Sequence, residues 1–254
     1  MVEESKKHTF MNWLVTIPYI VIFFMILTAF HPVLLCASWV NLRWHKWLLD
    51  RMNVCIMWNI RLTTGASYTV INRGGVVQDR PVILVANHQS MYDIPMLMWE
   101  LRDRDVGFIA KKELGKGLPS ISLSLRKLSS VLIDRKDANQ AIAAIRAFGK
   151  EREAQREVAA IFPEGTRARD GMMKRFRNSG LKALIETMPS AVIQPVAIRG
   201  NWELLRYNFW PIPFGTSVSV EFLEPVACPR GEEETQKCLS HVEEVIRAKV
   251  LIGK

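Results

Sequence analysis

The sequence predicts an α/β fold in which a central mixed sheet is flanked by helices, preceded by an N-terminal membrane-associated helical hairpin. Short apolar runs rich in β-branched residues alternate with helical patterns from residue 66 onwards. Between Lys7 and Arg43 there is no Lys, Arg, Asp or Glu. The 254 residues are enough for one sizeable α/β unit and an appendage.

Composition narrows the function classes. Hydrophobic residues make up 49% of the chain and the formal net charge is +9. A basic surface suits nucleic acid, anionic lipid or an acidic substrate. No zinc-finger spacing, RNA-binding aromatic signature or basic repeat favours nucleic acid. The four cysteines are scattered and form no CxxC pair, so we expect free thiols and no bound metal.

The apolar N-terminal segment is too short for two full membrane spans, which with a turn would need roughly 40 residues or more. Pro18 and Pro32 interrupt it, and basic residues flank both ends. Because basic flanks prefer the cytoplasmic side, both ends are expected on that side. We therefore predict a re-entrant hairpin made of residues 10–30 and 32–41. The alternative is a single span, which would place the rest of the chain on the opposite face.

The next segment, residues 43–62, is predicted to be an amphipathic helix. Trp44, Trp47 and Met52 follow helical spacing, with charged residues between them. Such a helix suits a membrane interface, and the alternative is packing on the main domain. The predicted domains are therefore residues 1–62, associated with the membrane, and residues 63–254.

The remaining elements follow in order from apolar runs and turn residues. Strands are predicted at residues 66–72, 81–86, 106–110, 131–133, 158–162, 191–198 and 217–222. Helices are predicted at residues 94–99, from 138 towards 148, and at 176–188 and 235–252. Asp137 and Gln140 resemble a capping box before the second of these helices. The charged residues 151–157 are expected to be a solvated face.

A candidate catalytic pair lies where the strand 81–86 ends and the next helix begins. His88 and Asp93 are five positions apart there. A nearby carboxylate can hold one ring nitrogen of a neutral histidine as a donor, and it stabilises the imidazolium that forms during a reaction. No serine or cysteine stands in a nucleophile-elbow pattern nearby, so the pair is predicted to be a general base and its orienting partner. The alternative is a helix-capping residue and a surface aspartate.

Cations recur after the predicted strands. Lys111, Arg135 and Arg167 each follow a strand, as His88 does. The carboxyl ends of parallel strands converge on one edge of a sheet. A base and three cations at one edge predict an anionic substrate that gives up a proton, although each cation alone is also explained as a surface charge.

These residues fall in four ordered motifs, and with them the chain resembles the membrane-associated glycerolipid acyltransferases. In particular, it resembles the bacterial 1-acylglycerol-3-phosphate acyltransferases. The motifs lie within residues 65–225 and are the set Asn87, His88 and Asp93; residues 131–135; residues 162–167; and residues 192–197 around Pro195. A further family segment, Lys112 to Leu114 with Lys111 beside it, lies between the first two motifs. Two features depart from the family pattern: Ser129 stands where the family has glycine, and residues 174–180 replace a lysine- and glycine-bearing turn.

The resemblance implies transfer of a fatty acyl group from acyl-CoA or acyl carrier protein to the sn-2 hydroxyl of 1-acylglycerol-3-phosphate, giving phosphatidate. It implies a direct transfer with no cofactor, no metal and no covalent intermediate. His88 would be the general base and Asp93 its partner. The implied substrate-binding residues are Lys111, Arg135, Glu164, Gly165, Thr166 and Arg167. Arginine matches the geometry of the acceptor phosphate. Glu164 has no physical role that the sequence assigns, and pairing with Arg167 is its structural alternative.

Because both acyl donors are cytoplasmic, the implied location is the inner membrane, with the catalytic domain facing the cytoplasm. The implied partners are a membrane lysolipid and an acyl thioester, without nucleic acid. Two other functions stay open. One is acylation of another lysolipid, such as a lyso-aminolipid. The other is a non-catalytic membrane-binding protein on the same fold.

Overall fold

The computed structural model describes residues 2–251, with side chains from residue 10 onwards. Two long helices open the chain: α1 (Val2–Val40) and α2 (Leu42–Thr64). They pack side by side and join at Asn41, whose side chain accepts a hydrogen bond from the Arg43 backbone N–H at 2.8 Å and so caps α2. The predicted helix at residues 43–62 is confirmed as α2.

The predicted break in the apolar segment at residue 31 is wrong. Helix α1 continues through Pro18 and Pro32, and the turn of the hairpin lies at Asn41, so that α2 is the second arm. Each proline removes one backbone hydrogen bond from the helix. Packing of the face that includes Tyr19 and Leu34 offsets this loss, since both side chains are buried. Proline is tolerated inside a helix where neighbouring elements support it.

In the described part of the chain, eight strands form one mixed sheet. The strands are β1 (Ser67–Ile71), β2 (Val82–Ala86), β3 (Val106–Lys111), β4 (Val131–Ile133), β5 (Val158–Ile161), β6 (Val192–Arg199), β7 (Ser217–Phe222) and β8 (Val226–Ala227). Their spatial order is β1-β7-β6-β2-β5-β3-β4, and β8 pairs with β6. The pairs β6–β7 and β6–β8 are antiparallel, while the other pairs are parallel.

Helices cover both faces of the sheet, as predicted. They are α3 (Asp93–Glu100), α4 (Ile121–Lys127), α5 (Ala138–Gln155), α6 (Asn178–Thr187) and α7 (Glu232–Leu251). One hydrophobic cluster joins α1 to α4 with one face of the sheet, and a second joins α5, α6 and α7 with the other. The Asp137 side chain accepts a hydrogen bond from the Gln140 backbone N–H at 2.9 Å, which confirms Asp137 as the N-cap. The reciprocal half of the predicted capping box is not seen, because the Gln140 side chain accepts from the Asp134 backbone N–H at 2.9 Å.

The charged segment at residues 151–157 is not a solvated face throughout. Helix α5 continues to Gln155, and the Arg152 side chain is buried with an ion pair to Glu151 at 2.9 Å. The predicted domain division at residue 62 stays a prediction. Residues of α1 and α2 share a hydrophobic cluster with the sheet. The carboxyl ends of the parallel strands β2 to β6 meet at one edge, where the candidate site lies.

Candidate active site

The candidate base lies on the loop between β2 and α3. The Nδ1 atom of His88 is 2.7 Å from Oδ2 of Asp93. The Asp93 side chain is fully buried, whereas that of His88 is 13% exposed. The imidazole stacks on Phe162, with 4.2 Å between ring centroids. Among the described residues Nε2 of His88 has no hydrogen-bond partner, so this nitrogen faces outward and is available to a substrate proton.

Further donors hold the Asp93 carboxylate in place. Oδ2 also accepts hydrogen bonds from the backbone N–H groups of Gln89 at 2.7 Å and Ser90 at 2.9 Å. Oδ1 accepts from the Asn201 side-chain amide at 2.5 Å. Asp93 also lies in the first turn of α3, where the helix dipole favours a negative charge. These donors fix the orientation of the Asp93 carboxylate, which can hold His88 as the Nδ1–H tautomer.

The loop that carries His88, between β2 and α3, is anchored to strand β6. The Asn87 side chain donates to the Ile198 carbonyl at 2.8 Å and accepts from the Ile198 backbone N–H at 2.7 Å. This pair of bonds extends the β2–β6 ladder by one side chain. The Gln89 side chain accepts from the Asn201 backbone N–H at 3.0 Å. The asparagine that precedes the histidine therefore has a physical role in fixing where the loop leaves the sheet.

Glu164 anchors the same loop to the segment after β5. Its two carboxylate oxygens accept from the backbone N–H groups of His88 at 2.7 Å and Lys174 at 2.8 Å. The side chain is buried, and burial raises the pKa of Glu164 while these two hydrogen bonds lower it in part. Its oxygens thus serve backbone amides, and the pairing with Arg167 that the sequence left open is not what holds them. The structure gives Glu164 a positioning role.

Three arginines gather beside this loop. Burial lowers the pKa of Arg167, nearby Arg169 lowers it further, and Asp93 raises it. Partial burial likewise lowers the pKa of Arg135; nearby Glu113 raises it, and Arg177 and Arg167 lower it. Within the described residues, Arg135, Arg167 and Arg177 form no ion pair with a carboxylate. Unpaired guanidinium groups that repel one another are suited to binding an anion.

The other predicted site residues are less closely joined to this cluster. Lys111 pairs with Glu113 at 3.2 Å, and its side chain is 45% exposed. Thr166 is exposed. Gly165 has φ +68°, a conformation that favours glycine, and a Cβ atom there would lie 3.4 Å from Cδ of Arg177. Gly165 therefore lets the backbone turn sharply beside the arginine cluster.

The match to an acyltransferase family model covers residues 67–199, which is more than half of the chain and contains His88, Asp93, Arg135 and Arg167. The chain belongs to the acyltransferase family. A crystal structure of the 1-acyl-sn-glycerophosphate acyltransferase PlsC from Thermotoga maritima superposes with a TM-score of 0.76, 25% identity and 96% coverage of each chain.

Two sequence relatives of this acyltransferase differ in the acceptor that their names give. The lyso-ornithine lipid O-acyltransferase of Rhizobium meliloti (strain 1021) is 26% identical over 181 residues, which is 68% of this chain and 58% of the relative. The 1-acyl-sn-glycerol-3-phosphate acyltransferase of Helicobacter pylori is 34% identical over 116 residues, 46% of this chain and 47% of the relative. The chain thus spans about half the length of these relatives.

The acyltransferase has a cavity on each side of strand β3 near the site. A cavity of about 210 Å³ lies towards α5 and α6, with Arg135 and Arg177 at its lining and isoleucines below them. A second cavity of about 160 Å³ lies towards α1 to α4 and is mostly apolar. It extends along β3 from Val106 to Ala110 and reaches the catalytic loop at Tyr92.

The sequence did not single out Asn201 or Arg177 of the acyltransferase as site residues. Asn201 follows β6, and its contact with Asp93 depends on β6 lying beside β2, which chain order does not predict. Arg177 lies in the segment that departs from the family pattern. The sequence feature that could have indicated Arg177 is its position after a strand-end motif, in a basic run with Lys174 and Arg175.

Proposed function

We propose that the protein acylates a lysophospholipid at a membrane surface, using an acyl thioester as donor, and that the acceptor is the sn-2 hydroxyl of 1-acylglycerol-3-phosphate. The observation that carries this proposal is the His88–Asp93 pair, with its open Nε2 atom, beside the three unpaired arginines. A base next to an anion site suits an acceptor that carries both a hydroxyl group and a phosphate.

The proposed reaction is a direct transfer. His88 Nε2 takes the proton of the acceptor hydroxyl as its oxygen attacks the thioester carbonyl. The buried Asp93 carboxylate stabilises the imidazolium that results. The tetrahedral intermediate then collapses, the C–S bond breaks, and His88 returns the proton to the departing thiolate. The products are the ester and the free thiol, without an acyl-enzyme. The donor, acyl-CoA or acyl carrier protein, is part of this proposal.

The arginine cluster and the apolar cavity support separate sites for the two parts of the substrates. Arg135 and Arg167, with Lys111 at the edge, would bind the acceptor phosphate, and Gly165 and Thr166 would shape that site. The apolar cavity along β3 would hold an acyl chain, because its walls include Phe23, Met52 and Phe108.

The packing of α1 supports a location on one face of a membrane. Polar side chains along the helix hydrogen-bond to the α/β domain at widely spaced points, namely Asn12, Thr16, Tyr19 and His31. The opposite side of the helix exposes Phe10, Ile17, Phe24 and Trp39. Because α1 is attached to the α/β domain along much of its length, the structure supports an anchor in one face of the membrane rather than a helix that spans it. Location at the inner membrane, facing the cytoplasm, is the proposal that fits cytoplasmic donors.

One observation favours a lyso-ornithine lipid as the acceptor. The lyso-ornithine lipid O-acyltransferase matches 68% of this chain, more than the Helicobacter relative does. An acceptor without phosphate would depend less on Arg135 and Arg167, so Arg167→Gln would raise its KM less than it raises the KM for lysophosphatidate. For lysophosphatidate the same change should raise KM about tenfold or more, since a charge-assisted hydrogen bond to phosphate is lost.

The first test is acyl transfer from labelled palmitoyl-CoA to lysophosphatidate or lyso-ornithine lipid in detergent micelles. Wild type, His88→Ala and the control His241→Ala, at an exposed position on α7, are compared. Product with wild type and the control, lost in His88→Ala, supports the reaction and the base. Product retained in His88→Ala would overturn the mechanism. If wild type gives no product with either palmitoyl-CoA or acyl carrier protein as the donor, a non-catalytic membrane-binding role would be favoured.

A further inference from the structure

A connection rich in aromatic residues follows β6 and is not used by the proposed chemistry. We call residues 206–214 the aromatic loop. Its side chains Tyr207, Trp210 and Phe214 are 49%, 55% and 38% exposed. Ile212 is buried and anchors the loop from below. Exposed aromatic groups on an anchored loop form an apolar patch that the described part of the chain does not cover.

The patch continues onto the exposed face of α1. Trp210 makes an edge-to-face contact with Trp13, with 5.1 Å between ring centroids. Two α1 side chains accept hydrogen bonds from the loop backbone: Thr16 Oγ1 from Ile212 N–H and Asn12 Oδ1 from Phe214 N–H, each at 2.8 Å. The loop therefore has a fixed position beside the helix whose outward face is apolar from Phe10 to Val40.

Cations border the same patch. The Arg206 guanidinium lies over the rings of Trp202 and Tyr207 at 5.1 and 5.8 Å. Arg169 donates to the Asn208 side chain at 3.3 Å. Within the described residues neither arginine is in an ion pair with a carboxylate. A patch of aromatic rings bordered by unpaired arginines matches the headgroup layer of an anionic bilayer, where such rings and charges are both favourable.

The aromatic loop begins a short distance along the chain from the His88–Asp93 pair's contact residue Asn201. Asn201, which donates to Asp93, lies five residues before it. Trp202 packs against Gly171, in the segment that follows Arg167, since a Cβ atom on Gly171 would lie 2.4 Å from the indole nitrogen. The patch therefore lies close to the segment that follows Arg167.

We propose that the aromatic loop is a membrane-contact element, separate from α1 and α2, which lies in the headgroup layer of an anionic bilayer beside the acceptor entrance. The proposal rests on the proposed membrane location of the enzyme. It implies that the acceptor enters sideways from the bilayer, between the loop and Arg167, without leaving the lipid phase.

The first test measures contact directly and does not depend on activity. Full-length protein labelled with 5-fluorotryptophan is placed in nanodiscs of phosphatidylcholine and phosphatidylglycerol, and the Trp210 resonance is identified by its loss in Trp210→Phe. We expect broadening by a nitroxide-bearing lipid and little effect of a water-soluble paramagnetic reagent. Trp202, identified in the same way, is the control. Broadening by the soluble reagent alone would overturn the proposal. Protection from both reagents would also overturn it and would indicate a protein partner, such as a second copy.

The second test concerns the charge. Arg206→Gln should lower the rate on vesicles containing phosphatidylglycerol about fivefold, the effect of one basic contact with an anionic surface. It should leave the rate in neutral detergent micelles unchanged. An equal loss in micelles would show a structural role and contradict the proposal, as would an unchanged rate on anionic vesicles. If wild type has no activity at all, the proposed function fails while the fluorine test still decides on the loop.

Discussion

At the scale of single residues, the site depends on how the two oxygens of Asp93 are shared. Oδ2 serves the His88 ring and two backbone amides, and Oδ1 serves Asn201. All four partners are donors, so a carboxylate satisfies the position and a carboxamide does not. The ring tautomer that a general base requires therefore follows from the charge at Asp93.

Asp93→Asn is expected to lower kcat by about 10³- to 10⁴-fold, because the amide would face donors and would no longer fix the Nδ1–H tautomer. The measurement is acyl transfer at saturating acceptor, with Asp79→Asn, an exposed aspartate, as control. A kcat within tenfold of wild type would show that the carboxylate does not orient the base.

Glu164→Gln is expected to destabilise the fold by about 1–3 kcal/mol, since one of the two backbone N–H groups would face the new amide donor. The activity should fall as well, because the His88 backbone loses its anchor. Urea unfolding in mild detergent gives the stability, and Glu233→Gln on exposed α7 is the control. If Arg167→Gln reproduced the loss of stability, an ion pair would explain Glu164 better than backbone anchoring.

Asp50 on α2 predicts a dependence of stability on pH. Burial raises its pKa from the usual 3.8 to about 6, although Lys46 and Arg51 lower it in part. Because the folded-state pKa is raised, the Asp50 carboxyl does not change the free energy of unfolding below pH 3.8. It lowers that free energy as the pH rises through about 6. Asp50→Asn should therefore stabilise the protein by up to about 3 kcal/mol at pH 8 and by nothing at pH 3.5. Equal effects at both pH values would contradict the buried titration.

The residues that the sequence predicted are those whose signal is local. His88 and Asp93 lie within one strand-to-helix junction, so their spacing alone predicted the pair that the structure brings to 2.7 Å. Asn201 contacts Asp93 across 108 positions, and nothing in its own neighbourhood indicates this. Glu164 was recognised from its motif, but its role could be assigned only once the structure showed the two backbone amides that it binds.

At the scale of elements, the strands were predictable because buried parallel strands are short apolar runs. Helix α4 was not, because serines alternate with its leucines. Their hydroxyl groups are satisfied by tertiary contacts: Ser122 donates to the Leu114 carbonyl and Ser124 bonds to the buried His45. Helix α1 shows the converse, since its prolines suggested a break that packing on α2 prevents.

Gly200 links the end of β6 to Asn201, which contacts Asp93. It has φ +77°, and a Cβ atom would lie 1.9 Å from the Ser217 carbonyl oxygen. Gly200→Ala should therefore cost about 1–3 kcal/mol and lower activity, because β6 or β7 must shift and Asn201 moves with it. Unfolding and acyl transfer are measured beside Gly74→Ala, where no atom lies within 4 Å of the added carbon. Wild-type behaviour of both variants would show that the connection adapts freely.

At the scale of the whole molecule, the hairpin and the α/β unit form one body. Tyr19 and Phe23 of α1 share a hydrophobic cluster with Tyr92, which precedes Asp93. The Tyr19 and Tyr92 hydroxyl groups also meet in a hydrogen bond. A membrane that holds the outer face of α1 would therefore also hold the catalytic loop at a fixed height above it.

This arrangement predicts that both ends of the chain lie on the same side of the membrane. A single span would separate them, because α1 would have to leave the domain to cross about 30 Å of hydrocarbon. Protease-cleavable tags at the two ends, in sealed inside-out vesicles, are expected to be removed together from the cytoplasmic face. Breaking the contacts of α1 with the loop after β6, as in Asn12→Ala with Thr16→Ala, should leave this sidedness unchanged. Protection of one tag while the other is cleaved would mean that α1 spans the bilayer, and the monotopic proposal would then fail.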